Sequence, residues 1–113
     1  MINLRYPIIE DAVISGFNIK IFQDSPHVGE IGYFIDRNFF NRGIATEVVK
    51  RLENIDFNDL KLIRLEIRMN PRNKASERVA IKNNFKKEGL LKKVMKFDNN
   101  YYDNLLYAKI NEE

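Results

Sequence analysis

The stretch Val28–Leu52, VGEIGYFIDRNFFNRGIATEVVKRL, decides how the rest of the chain is read. Val28 to Ile35 is largely apolar on both faces, the pattern of a strand inside a sheet. Asp36 to Arg42 interrupts it as a loop. Apolar residues then recur at Ile44, Val48, Leu52 and Ile55, one stripe of a helix that runs to about Phe57. The start of that helix is unusual. Arg42 and Gly43 offer no capping oxygen to the free first-turn N–H groups, and a cation stands where the helix dipole favours an anion. A strand, a glycine turn and bare helical amides together can seat an anion. Gly43 lets the backbone come close, Arg42 adds a mobile positive charge, and a pyrophosphate is the simplest ligand that uses both. Taken alone, Arg-Gly is also an ordinary way to begin a helix.

Working outward, Leu4–Ile9 reads as a short strand, with Pro7 placing it at an edge or an irregularity. Val13–Phe22 alternates as a longer strand, and Gln23–His27 reads as a hairpin loop. Leu62–Arg68 is the next strand, broken by Asn70-Pro71-Arg72-Asn73. A second helix spans Lys74 to about Asn83, with Asn73 as its N-cap. Phe85–Phe97 and Asp103–Ile110 make two further strands around an Asp98-Asn99-Asn100 turn. The order is β-β-β-α-β-α-β-β. The two strands flanking the first helix lie parallel through the crossover, and the hairpins at either end are antiparallel. The expected fold is α+β: one mixed sheet with helices packed on it, a single domain over residues 1–113.

A hydrophobic fraction of 44% with thirteen aromatic residues is enough for a core. No apolar run is long enough to cross a bilayer, and MINLRYPIIED has no signal-peptide pattern, so a cytoplasmic protein is the default reading. Without cysteine there is no thiolate nucleophile, and one histidine, His27 in a turn-like segment, makes no multi-histidine metal site. Charge is uneven: residues 1–56 are net −2 and residues 57–113 net +5, giving +3 overall. The basic half suits a polyanion or simply a lysine-rich solvated surface.

Four segments carry a resemblance: GEIGYFID, NRGIATEVV, NKASERVAIKNNF and YYDNLLYAKI. In this order and spacing they resemble the GNAT superfamily of acyl-CoA-dependent N-acetyltransferases over residues 13–110, most closely its RimJ/RimL group. The resemblance implies splayed central parallel strands with pantetheine in the gap, meeting the backbone of Phe34, Ile35 and Asp36. It implies that the loop and helix start at Arg42, Gly43, Ile44, Ala45 and Thr46 bind the CoA pyrophosphate. Gly43 and Ala45 match the family's fixed places there, whereas Phe40 stands where Gln or Arg is usual. Asn73 and Ser76 match an Asn-x-x-Ser at the second helix, implying a pantetheine contact for Asn73 and a place for Ser76 near the thioester sulfur. The same pair also reads as a cap with its first turn. Ala80 stands where many members carry a tyrosine acid, and Asn84 where glycine is usual. Glu30 matches the glutamate before Ile-Gly-Tyr and is the candidate base.

The implied reaction is transfer of acetyl from acetyl-CoA, the cosubstrate, to a primary amine such as a protein N-terminus, with no metal. Without cysteine it requires direct attack in a ternary complex. Family members carry a first strand and two helices before the point where this sequence begins. The resemblance therefore implies a short acceptor side and apolar strand surface at Ile8, Ile9, Phe17, Ile19 and Ile21. A homodimer or helper chain is expected to cover it. The alternatives are a CoA-binding module without turnover, a small-amine or antibiotic acetyltransferase, and a basic nucleic-acid-binding domain. Nucleic acid is the weakest reading, because Lys82, Lys86, Lys87, Lys92, Lys93 and Lys96 are interleaved with few aromatics.

Overall fold

The computed structural model describes the backbone of residues 2–10, 13–34 and 43–111, with side chains from Ile19 onward apart from Tyr33, Phe34 and Ile44. Three strands come first: β1 (Ile2–Glu10), β2 (Val13–Phe22) and β3 (Ser25–Phe34). Helix α1 (Ile44–Asn54) continues as a single π turn over Ile55–Asp59. Then come β4 (Arg64–Met69), α2 (Lys74–Lys82), β5 (Lys86–Phe97) and β6 (Asn100–Ile110). All eight expected elements are present in the expected order.

The strands form one mixed sheet in the order β1-β2-β3-β4-β6-β5. β3 and β4 are parallel and every other pair is antiparallel. β6 therefore lies inside the sheet, between β4 and the edge strand β5.

Several boundaries differ from the sequence reading, for local reasons. The first hairpin closes at Gln23–Asp24 and β3 begins at Ser25. His27 is exposed as expected, but it belongs to the strand, and its carbonyl accepts from the Ile63 amide at 2.8 Å. β4 begins at Arg64 rather than Leu62. Asp98 and Asn99 both take positive φ, 52° and 67°, so two residues close the last hairpin and β6 starts at Asn100. Asn84 also has positive φ, 65°, which suits an asparagine where the family has glycine.

One sheet face contributes Ile19, Ile31, Leu65, Ile67, Met69, Leu105 and Tyr107 to the core. The helices close over it with Val49 and Leu52 from α1 and Ala80 from α2. Ile19, expected on an uncovered surface, is fully buried in this core. Gly29 matters to the packing: a Cβ there would sit 2.9 Å from Leu62 Cδ1 and 3.0 Å from Ile19 Cδ1. The buried line of α1 is Ala45, Val49, Leu52, Glu53 and Asp56, while Val48 and Ile55 are only half-buried. The helix is thus rotated from the expected stripe, and two carboxylates face inward. Among the described residues no helix is long and apolar enough to cross a membrane.

Candidate active site

The parallel pair sets the site. β3 and β4 are in register only at Val28–Arg64, Gly29–Leu65 and Glu30–Glu66. Beyond that, β3 runs on to Phe34 beside β2, and β4 runs on to Met69 beside β6, without pairing to each other. Their facing edges leave backbone donors and acceptors for another partner. α1 follows β3 and α2 follows β4, so both helix N-termini lie at the end where the strands diverge. That crevice beyond the carboxyl ends of parallel strands is where open α/β sheets take ligands.

The two helix starts differ. Gly43 is the N-cap of α1, in the left-handed conformation at φ 71° and ψ 6°, and among the described residues no side chain caps the turn. Open space surrounds its Cβ position, so its φ alone favours glycine. The first amide bonded within the helix is that of Glu47, to the Gly43 carbonyl at 3.1 Å. The amides of Ile44, Ala45 and Thr46 therefore have no intrahelical partner. Exposed Glu47 supplies the one acidic side chain in this turn. Of the other residues expected here, Ile35, Asp36 and Arg42 lie outside the described residues, as does Phe40. Phe34 and Ile44 are described by backbone alone.

α2 begins conventionally. Asn73 Oδ1 accepts from the Ser76 amide at 3.1 Å, which realises the capping reading. The cap uses only the oxygen, so the Asn73 amide nitrogen is the group that could meet a ligand. Ser76 is half-buried in the first turn. Ala80 is completely buried, so the place that holds a tyrosine acid in many family members is packed into the core here.

Glu30 lies on the other side of the sheet. It alternates with Gly29 and Ile31, which face the helices, and its nearest ionic partner is Arg68 Nε at 3.8 Å. Glu30 and Ser76 therefore flank the strand gap from opposite faces. Both would reach a thioester only if it lies in the gap itself.

Five residues escaped the sequence reading. Buried Asn83 donates through Nδ2 to the Thr46 carbonyl and to the Val79 carbonyl, each at 3.1 Å, joining the first turn of α1 to the end of α2. Its own carbonyl accepts from Lys109 Nζ at 3.0 Å, and Lys109 reaches Glu53 Oε2 at 2.6 Å. Burial raises the Glu53 carboxyl against the lowering pull of Lys109. Asp56 is fully buried, and neither carboxylate oxygen has a partner among the described residues. Burial, helped by the Glu53 charge, pushes it up to about 7. The usable signal was Asp56 standing eleven residues after Ala45, on the same helical line. Elsewhere, Tyr107 donates to Glu77 Oε2 at 2.7 Å, and burial followed by that bond pushes its hydroxyl up to about 12. Among the described residues no group of His, Cys, Asp and Glu is arranged to hold a metal.

Comparison with known proteins points to one family. The acetyltransferase (GNAT) domain profile matches residues 4–86. A probable N-acetyltransferase, YjcK of Bacillus subtilis, is 39% identical over 94 residues, covering 83% of this chain and 52% of that protein. The ribosomal-protein-serine acetyltransferase of Escherichia coli is 31% identical over 102 residues, covering 89% and 56%. The chain thus spans about half the length of these curated relatives. Among solved structures, RimL, a ribosomal α-N-protein acetyltransferase in complex with coenzyme A, superposes with a TM-score of 0.82 at 27% identity. That match covers 96% of this chain and 62% of that one.

Proposed function

The chain belongs to the GNAT acetyltransferase family, and from that premise we propose that it binds acetyl-CoA and transfers the acetyl group to a primary amine. The acceptor in this reading is the N-terminal amine of a protein, a ribosomal protein by the likeness to relatives so named. The observation that carries the proposal is the uncapped α1 start at Gly43, beside the point where β3 and β4 part.

The amides of Ile44, Ala45 and Thr46 fit a pyrophosphate, since they combine free donors with the positive end of a helix. The unpaired edge of β3 fits an extended pantetheine arm, whose amides can replace the missing strand. The attacking amine must be neutral. At pH 7 about a tenth of an α-amine of pKa about 8 is neutral, against about one part in 2,500 of a lysine of pKa about 10.4. A carboxylate base is enough for the former, and Glu30 takes that proton, directly or through water. A backbone amide of β3 stabilises the tetrahedral oxyanion. Ser76 donates to the departing thiolate, which needs little help because thiols are acidic, with a pKa of about 8.5 for cysteine.

The test is titration calorimetry with acetyl-CoA and dephospho-CoA, on the parent chain and on Gly43→Glu, followed by CoA release with N-terminal peptides of ribosomal proteins. Expected are binding of both nucleotides and a loss of about 100-fold, or about 2.7 kcal/mol, for the variant. Equal affinity of Gly43→Glu and parent would remove the pyrophosphate seat from α1. Binding without turnover on any amine would leave a CoA-binding module and reject the transferase reading.

A further inference from the structure

On the face of the sheet where the described residues place no helix, five alternating charges drawn from β3, β4 and β5 form a continuous chain. Glu88 of β5 accepts from both terminal guanidinium nitrogens of Arg64, Nη1 at 3.0 Å and Nη2 on the other oxygen. Arg64 Nε donates to Glu66 Oε2 at 2.9 Å. Arg68 Nη2 donates to Glu66 Oε1 at 3.1 Å, and its Nε lies 3.8 Å from Glu30 Oε1. Glu66 is the anchor: its side chain is 10% exposed, and each oxygen is taken by a different arginine.

The last link differs from the others. Arg68 is fixed through Nη2, and it offers Nε to Glu30 as a close ionic contact rather than a hydrogen bond at ordinary distance. It makes that contact across the place where the β3–β4 ladder stops, at Glu30 opposite Glu66. A planar guanidinium with donors on two edges is suited to such a bridge, because one edge can be anchored while the other orients a second carboxylate. Among the described residues Arg68 meets Glu30 at Oε1, and Oε2 is the oxygen placed to take a proton.

We infer that Arg68 is a positioning residue: held by Glu66, it aims the Glu30 carboxylate at the acceptor amine where the parallel strands separate. This rests on the reading of Glu30 as the base. Side chains placed to within a fraction of an ångström govern proton transfer, and a misplacement of about 1 Å costs up to about 100-fold in rate.

The experiment follows CoA release from acetyl-CoA with N-terminal ribosomal-protein peptides as acceptors, using the whole chain. Glu30→Gln is expected to lower kcat by at least about 100-fold. Arg68→Gln is expected to lower kcat about tenfold, with KM for acetyl-CoA within about twofold of the parent. Arg68→Lys keeps the cation for Glu66, protects the fold if the glutamine variant is unstable, and should fall between Arg68→Gln and the parent. Arg68→Gln added to Glu30→Gln should slow it no further, because its effect runs through the missing carboxylate. Unchanged kcat in both Arg68 variants, or an additive loss in the double variant, overturns the role of Arg68 while leaving Glu30 as base. A rise in KM for acetyl-CoA at unchanged kcat would assign Arg68 to the fold alone, and overturns it too. Parent-like kcat in Glu30→Gln, or no turnover by the parent, overturns the base reading itself.

Discussion

The two helices treat their ends in opposite ways. α2 starts on an asparagine whose side chain accepts from its first turn, carries Glu77 near that start, and has Lys82 in its last turn. Each choice agrees with the dipole and with the orphan amides. α1 starts on a left-handed glycine with no side-chain cap. Past its exposed Arg51 it ends in Glu53 and Asp56, two buried carboxylates at the end where the dipole is negative. A helix that follows the rules is held by its own residues. One that breaks them at its start leaves amides without an intrahelical partner, and one that breaks them at its finish carries a standing penalty. Local inconsistency of this kind concentrates at functional and strained places.

The largest test of this contrast is at the α1 finish. Burial pushes the Asp56 carboxyl up to about 7 in the fold, from 3.8 ordinarily. Below about pH 4 it is protonated folded and unfolded, and contributes no penalty. Between about 4 and 7 only the unfolded chain ionises, so stability falls as pH rises. Above about 7 the full penalty applies, on the order of 4 kcal/mol. Asp56→Ala should therefore stabilise the protein most above neutrality, and urea denaturation at pH 5 and pH 8 would show the parent losing stability that the variant keeps. Equal pH slopes would mean that Asp56 finds a partner.

Next in size is the tie between the helices. Asn83→Ala removes the donor shared by the Thr46 and Val79 carbonyls, at an expected cost of about 2 kcal/mol. Thermal unfolding would measure that cost. Acetyl-CoA affinity should fall as well, since the α1 start would no longer be fixed.

Smaller still is the α2 cap. Asn73→Ala should cost about 1 kcal/mol in equilibrium unfolding. Asn73→Asp keeps the accepting oxygen and loses the amide nitrogen, so stability should hold while acetyl-CoA binding weakens. If both properties survive in the aspartate, Asn73 is a cap and nothing else. The smallest effect is at Glu47, the lone acid in the first turn of α1. Glu47→Gln should tighten acetyl-CoA binding by about 0.3–1 kcal/mol at low salt, and the gain should fade as salt rises.

Much of this architecture was legible in the sequence because it is written in local patterns. Alternation marked β2, the doubly apolar run marked β3 as central, and the crossover made β3 and β4 parallel. Asn73 announced its cap, and the bare start at Gly43 was readable as an absence. The rotation of α1 was hidden because Ile44, Ala45, Val48 and Val49 make a broad apolar arc with no single centre. Its true centre continues into Glu53 and Asp56, and a pattern that expects apolar residues passes over carboxylates. Lys109 meets Glu53 and Arg64 meets Glu88 across long stretches of chain, so no window along the sequence contains both partners. The Glu30–Arg68 contact needed the strand register, which only the assembled sheet supplies.

The position of β6 between β4 and β5 sets an order of events during synthesis. β4 emerges from the ribosome with one flank empty, and the strand that fills it is made some forty residues later. Until Leu105 and Tyr107 arrive, Leu65 and Ile67 lack their neighbours on that side. The nascent protein therefore cannot close its hydrophobic centre before β6 is made.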